Sequence, residues 1–197
     1  MLNRNVTQSS DISDGDLLAA VAAGDARAFQ RLHDRYHRRI FGFAMRLVDR
    51  PDRAEEIAND ALLAIWRNAR QFEGRSRPAT WIFGIVYRIA MKTRRRWCFE
   101  RRHDELEEAA EIVDTTAPTV EAMIVRHQVE EALKALGTEA RAIMQLTYFY
   151  GFTCEEVANV VNCPVGTVKS RMAKARAAMK QTLTSTDKNV RRSRRGS

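Results

Sequence analysis

Cysteine is scarce: Cys98, Cys154 and Cys163 are the only three in 197 residues. Their number is odd and no CxxC pair occurs, which excludes a disulfide framework and the familiar zinc spacings and leaves them as small buried hydrophobes. No run of about 18 apolar residues occurs, so no helix spans a bilayer. The opening stretch, MLNRNVTQSSDISDGD, holds no apolar segment of the kind a secretory signal needs, and a cytoplasmic protein is expected. Catalytic signatures are missing as well. There is no Gly-rich phosphate loop, no Ser-His-Asp order and no paired-carboxylate pattern, so the sequence points away from an enzyme and from a small-molecule substrate. His33 and His37 stand one helical turn apart without a third ligand, so no metal or other cofactor is expected.

What is present is positive charge and helical periodicity. The formal net charge is +8, from 33 Lys and Arg against 25 Asp and Glu, which favours a polyanionic partner such as nucleic acid. Apolar residues make up 45% of the chain, enough for a real core, and the length suits one domain or two small ones. The expected fold is all-α: two small helical domains joined by a flexible acidic linker, the second containing a helix-turn-helix.

Ser13 or Asp14 caps a first helix through Leu17, Leu18 and Val21, which ends at Gly24. Asp25 caps a longer one, with Ala28, Phe29, Leu32, Tyr36, Ile40, Phe43, Ala44 and Leu47 at helical spacing. Pro51 opens a third helix to about Arg70, whose Ala54, Ala58, Ala61, Leu62 and Ile65 face inward. Its other face, Glu56, Asn59, Asp60, Leu63 and Arg67, is polar with one leucine in it, either plain solvent surface or a docking surface for a protein. A loop follows, and Pro78 begins a fourth helix to about Trp97. Phe83 and Tyr87 lie on one side of it, either packed against a neighbouring helix or free to stack on bases. Its end is strongly basic, with Arg88, Lys92, Arg94, Arg95 and Arg96 placed to hold a nucleic-acid backbone.

The charge then reverses. Asp104, Glu105, Glu107, Glu108, Glu111 and Asp114 run without an intervening cation into Thr115-Thr116-Ala117-Pro118, as an interdomain linker does. Residues 14–97 thus form one domain, 98–119 the linker, 120–183 a second domain and 184–197 a basic disordered tail. In the second domain a helix to Leu136 ends at Gly137, and Thr138 caps the next, which carries Ala142, Ile143, Leu146 and Phe149.

The stretch GFTCEEVANVVNCPVGTVKSRMAKAR is the clearest motif. Thr153 and Glu156 have the spacing of a capping box. Asn162 and Cys163 break the short helix, and Pro164 suits the first position of a new one. Val168, Met172, Ala175, Met179 and Leu183 form its apolar stripe, while Gly166, Ser170, Ala173, Lys174 and Ala177 point away. Small residues at the centre of that outer face admit a major groove closely, and Lys169, Arg171, Arg176 and Lys180 flank it where phosphates lie.

Taken together, these stretches resemble a bacterial sigma factor of the extracytoplasmic-function class, in the sigma-70 superfamily. DRAEEIANDALLAIWRNARQFEG resembles the family's polymerase-binding helix, RPATWIFGIVYRIAMKTRRR its promoter-melting helix, and the helix-turn-helix its upstream-element reader. The resemblance implies a factor that binds core RNA polymerase, selects a promoter and opens it, and that an anti-sigma factor holds inactive. It implies polymerase contacts at Glu56, Asn59, Asp60, Leu63, Trp66 and Arg67. It implies a base-capturing minus-ten loop through Glu73, Gly74, Arg75, Ser76, Arg77 and Thr80, with the non-template strand held by Arg88, Lys92, Arg94, Arg95 and Arg96. It places Thr167, Lys169, Ser170, Arg171, Ala173, Lys174 and Arg176 at the minus-thirty-five element. Tyr87-Arg88 stands where many members have Arg-Asn. The competing reading is a stand-alone helix-turn-helix repressor or activator, which binds its operator without polymerase.

Overall fold

Short polar side chains start three of the described helices, and left-handed residues cap the ends of two. In a computed structural model, which describes residues 12–100 and 120–193, Ser13 accepts a hydrogen bond from the Asp16 N–H (3.1 Å) and opens α1, Asp14–Ala22. Asp25 accepts from the N–H groups of Arg27 and Ala28 and opens α2, Ala26–Val48. Each cap satisfies donors that the first turn leaves without a partner. Asp49, at φ 54°, ends α2 and returns its N–H to the Met45 carbonyl. Pro51 opens α3, Pro51–Asn68, and a 3-10 turn over Ala69–Gln71 leads to the loop before α4, Pro78–Glu100.

The apolar stripes of α1 to α4 close on one another. Leu32, Tyr36, Ile40 and Phe43 of α2 meet Ala54, Ile57, Ala58, Ala61 and Ile65 of α3, all fully buried. Tyr36 therefore belongs to the core although its neighbours His33, Asp34 and His37 are polar. Each tryptophan sits in this domain: Trp66 packs edge-on to Phe29, Trp81 lies against Phe72, and Trp97 carries the Arg53 guanidinium 4.5 Å over its ring.

The second domain comprises α5, Val120–Lys134; α6, Thr138–Tyr148; α7, Cys154–Val161; and α8, Val165–Ser193. All the regular structure among the described residues is helical. Several boundaries differ from expectation. Gly137, not Thr138, is the N-cap of α6: its carbonyl accepts from the Arg141 N–H, while Thr138 is already helical and buried. Pro164 stands just outside α8 and offers its carbonyl to the Thr167 and Val168 N–H groups, so it caps the helix instead of occupying its first turn. The expected disordered tail over 184–197 is helical as far as Ser193. No glycine or proline interrupts the chain between Gly166 and Gly196, and nothing in that composition stops a helix once started. Likewise α4 runs to Glu100, three residues past the expected boundary at 97. The remainder of the expected acidic linker lies outside the described residues. The domains meet where α4 packs on α7 and α2 on α6.

Candidate nucleic-acid interface

Capping fixes the entry to the helix-turn-helix. The Thr153 hydroxyl accepts from the Glu156 N–H (3.2 Å), and the Glu156 carboxylate accepts from the Thr153 N–H (2.9 Å), so both bonds of the capping box form. Asn162, at φ 53°, ends α7 in the left-handed region where asparagine is tolerated. Val168, Met172 and Ala175 are buried, with Met179 packed beside them, which turns the opposite side of α8 outward. Gly166, Lys169, Ser170, Ala173, Lys174 and Arg176 are all exposed there. Thr167 is half-buried at the helix start. Arg171, also half-buried, pairs with Glu139 at 2.9 Å, so any contact it makes to a phosphate competes with that carboxylate.

The loop between the 3-10 turn and α4 is differently placed. Glu73 and Arg75 pair with one another on its exposed tip, around Gly74 at φ 71°. Arg77 turns toward the second domain and donates through Nε and Nη2 to the two oxygens of Glu156, in the paired geometry that makes such contacts strong. Thr80, only 2% exposed, donates its hydroxyl to the same carboxylate (3.2 Å). Burial pushes the Glu156 carboxyl up, but Arg77, the Thr153 N–H and Thr80 outweigh it and hold the group below its ordinary value. Ser76 is half-buried within the loop. Along α4, Arg88, Lys92, Arg94, Arg95 and Arg96 are exposed and form the basic strip expected.

Phe83 and Tyr87 are packed. Phe83 is fully buried, with its ring centroid 4.7 Å from Tyr150, 5.4 Å from Phe43 and 5.5 Å from Phe152. Burial pushes the Tyr87 phenol up to about 12, and Glu139, Arg171 and Cys163 of the second domain are among the groups that act on it. Tyr150 donates its hydroxyl to the Arg39 carbonyl (3.0 Å), and the Arg39 guanidinium lies over the Tyr36, Phe83 and Tyr150 rings. At the other end of this seam, Arg141 is 8% exposed and donates to Asp49 (2.7 Å) and to the Arg46 carbonyl (3.1 Å). Gln145, one turn on, reaches the same carbonyl at 3.5 Å. Sequence reasoning missed Arg141, Gln145 and the outward role of Glu156. The available signal was two long polar side chains at i and i+4 on the apolar arc of α6, positions that need partners if they are buried.

On α3, Glu56, Asn59, Asp60, Leu63 and Arg67 are all exposed, Leu63 at 44%. Glu56 pairs with Arg53 within the helix. Trp66 is half-buried against Phe29 and borders that ridge without standing on it.

Comparison with known proteins agrees with this layout. Residues 32–97 match the family Sigma-70 region 2, and residues 126–179 match Sigma-70, region 4. The RNA polymerase sigma-H factor of Pseudomonas aeruginosa is 31% identical over 186 residues, covering 86% of this chain and 93% of that protein. The ECF RNA polymerase sigma factor SigM of Mycobacterium tuberculosis is 32% identical, covering 91% and 90%. Among solved structures, the sigma factor RpoE of Bartonella quintana in complex with the anti-sigma factor NepR superposes with a TM-score of 0.65 at 23% identity, over 81% of this chain and 98% of that one. CnrH in complex with the cytosolic domain of CnrY gives the same TM-score at 22% identity, over 87% and 97%.

Proposed function

The chain belongs to the sigma-70 family of RNA polymerase sigma factors, in its extracytoplasmic-function class, and on that premise we propose how its surfaces divide the work. It joins core RNA polymerase in the cytoplasm, directs it to specific promoters, opens the duplex and leaves catalysis to the polymerase, so it is not itself an enzyme. The α3 ridge of Glu56, Asn59, Asp60, Leu63 and Arg67, bordered by Trp66, docks on the polymerase. An apolar side chain exposed among charged ones matches the apolar core and polar rim of a protein interface. The outer face of α8, from Thr167 to Arg176, enters the major groove of the upstream element. There Lys174 and Ser170 approach base edges while Lys169, Arg171 and Arg176 meet phosphates around Ala173. The loop Glu73–Thr80 captures an unstacked base of the minus-ten element, and the basic strip Arg88 to Arg96 holds the non-template strand. An anti-sigma factor controls the chain and releases it under stress; RpoE, a sigma factor of the same fold, forms a complex with the anti-sigma factor NepR.

The observation that carries this reading is the presence on one chain of the region 2 match, with its leucine-bearing ridge, followed by the region 4 match, with the outward face of α8 exposed. A conventional repressor needs only the second. The test is transcription: the purified chain with core polymerase on candidate promoters gives run-off products of defined length that core polymerase alone does not. Operator binding with no transcript from any promoter would instead mark a stand-alone helix-turn-helix regulator.

A further inference from the structure

Three helices of this chain are closed at their start by a side chain: Ser13, Asp25 and Thr153 each take up N–H groups of the first turn. The start of α6 is left open. Its N-cap is Gly137, which has no side chain to offer, and the N–H groups of Thr138, Glu139 and Ala140 take no partner among the described residues. Such donors, with the positive end of the helix dipole behind them, suit an anion. A helix start alone is not a site, since water can serve it.

What sets this one apart is its surroundings. A cleft of about 570 Å³ opens between the end of α4 and the second domain, and Thr138 lies on its wall. Thr138 is 8% exposed, and its hydroxyl takes no hydrogen-bond partner among the described residues. A hydroxyl withdrawn that far from water and left unserved is a cost that folding ordinarily avoids. Three guanidiniums line the same cleft, Arg94 and Arg95 from α4 and Arg171 from α8. Arg94 and Arg95 form no ion pair among the described residues, whereas Arg171 is held by Glu139 at 2.9 Å. Glu139 is the single carboxylate of the lining, and Met91 and Ala140 add an apolar patch.

We propose that this cleft binds the phosphoryl group of a small molecule, either a nucleoside diphosphate or free pyrophosphate. A terminal phosphate, close to doubly charged at neutral pH, accepts from the N–H groups at the start of α6 and from the Thr138 hydroxyl. Arg94 and Arg95 supply the neutralising charge. The patch of Met91 and Ala140 suits a base or a sugar, and the volume lies in the range of small-ligand pockets. A nucleic-acid backbone fits less well. Its phosphates are singly charged and stand on a continuous convex ridge, which does not reach a hydroxyl with 8% exposure. Such binding stands apart from the sigma-factor function and needs no polymerase. A bound ligand still bears on that function, because Arg94 and Arg95 are then engaged and cannot also hold the non-template strand.

The test is isothermal titration calorimetry on the full-length chain, at fixed ionic strength in phosphate-free buffer, with pyrophosphate, ADP and adenosine as probes. T138V removes the hydroxyl at nearly unchanged shape, and T138S keeps it while removing the methyl group. R94Q/R95Q removes two cations of the cleft. R27Q/R31Q removes two exposed cations of α2 and serves as the charge-matched control. E139Q removes the competing carboxylate. Wild type and T138S are expected to bind pyrophosphate and ADP alike. T138V and R94Q/R95Q are each expected to weaken that binding roughly tenfold, with R27Q/R31Q near wild type. E139Q is expected to tighten it roughly threefold, a gain that damage to the fold does not produce. ADP bound more tightly than pyrophosphate marks a nucleotide as the ligand, and equal affinity marks the polyphosphate itself.

Absence of binding by both phosphorylated probes would overturn the proposal, as would adenosine binding as tightly as ADP. Equal loss in R27Q/R31Q would make the attraction a bulk charge effect, and unchanged affinity in T138V would place the ligand elsewhere; either result also overturns it. Should T138V not fold, R94Q/R95Q, altered only at exposed positions, decides the case.

Discussion

On α8, the residues turned away from the core are in solvent: Lys169, Ser170, Ala173, Lys174 and Arg176 are all exposed. On α4, the corresponding turn of the helix is dry, with Thr80 at 2%, Phe83 at 0% and Tyr87 at 7% exposure. Both stretches contain apolar and cationic residues at helical spacing, and cationic residues of both helices are proposed to meet promoter DNA. They differ in what the rest of the chain lays across them. A duplex-reading face works by insertion of a preformed helix and can stay open. A strand-reading face offers aromatic surface, and aromatic surface left in water is a liability that folding removes when a partner is within reach.

The largest test of this contrast is Phe83→Ala. If the ring is a core element shared by both domains, its loss leaves a cavity and costs about 3–5 kcal/mol in denaturant unfolding. A cost near zero would return Phe83 to the role of an exposed base-stacking platform and dissolve the contrast. Leu63→Glu extends the comparison to the third surface, which is open like α8. Unfolding is expected to stay within about 0.5 kcal/mol of wild type, while polymerase binding measured by fluorescence anisotropy weakens by about 2 kcal/mol or more. Destabilisation of the free chain would show that Leu63 is not an open-face residue.

The smallest effects lie within α8. Lys174→Ala is expected to cost about 1–3 kcal/mol on the preferred duplex and to relax preference at one base pair, read from a promoter library. Arg176→Ala is expected to weaken all sequences alike and to reduce the slope of log affinity against log salt by about 1. Equal changes in specificity from both would mean that the helix enters the groove on a different register.

Local chemistry was the most legible part of the sequence. Ser13, Asp25 and the Thr153–Glu156 pair announce helix starts because a side chain and an N–H two or three residues away settle the matter between them. The stripe of Val168, Met172 and Ala175 was equally plain, since period alone assigns a face to the core. Phe83 was ambiguous for the complementary reason. Period says that a face is apolar, not whether bases or Tyr150 and Phe152 will cover it, and those residues stand far along the chain. Arg141 was missed because a buried arginine makes sense only once Asp49 and the Arg46 carbonyl are beside it. Glu156 was half-read: its local bond followed from spacing, its cross-domain one did not. The end of α8 is hard to read because it carries no core-forming apolar pattern, the usual mark of disorder, yet contains nothing that breaks a helix.

The distribution of indole rings has an optical consequence. Trp66, Trp81 and Trp97 all belong to the first domain and the second has none. Intrinsic emission excited at the red edge of absorption therefore originates in the first domain alone. Within that domain the probes are graded: Trp66 borders the α3 ridge beside Phe29, Trp97 lies beneath Arg53, and Trp81 directly follows the loop that ends at Thr80, against Phe72. The unlabelled protein is thus already its own spectroscopic reporter, with one probe beside the α3 ridge and another at the start of α4.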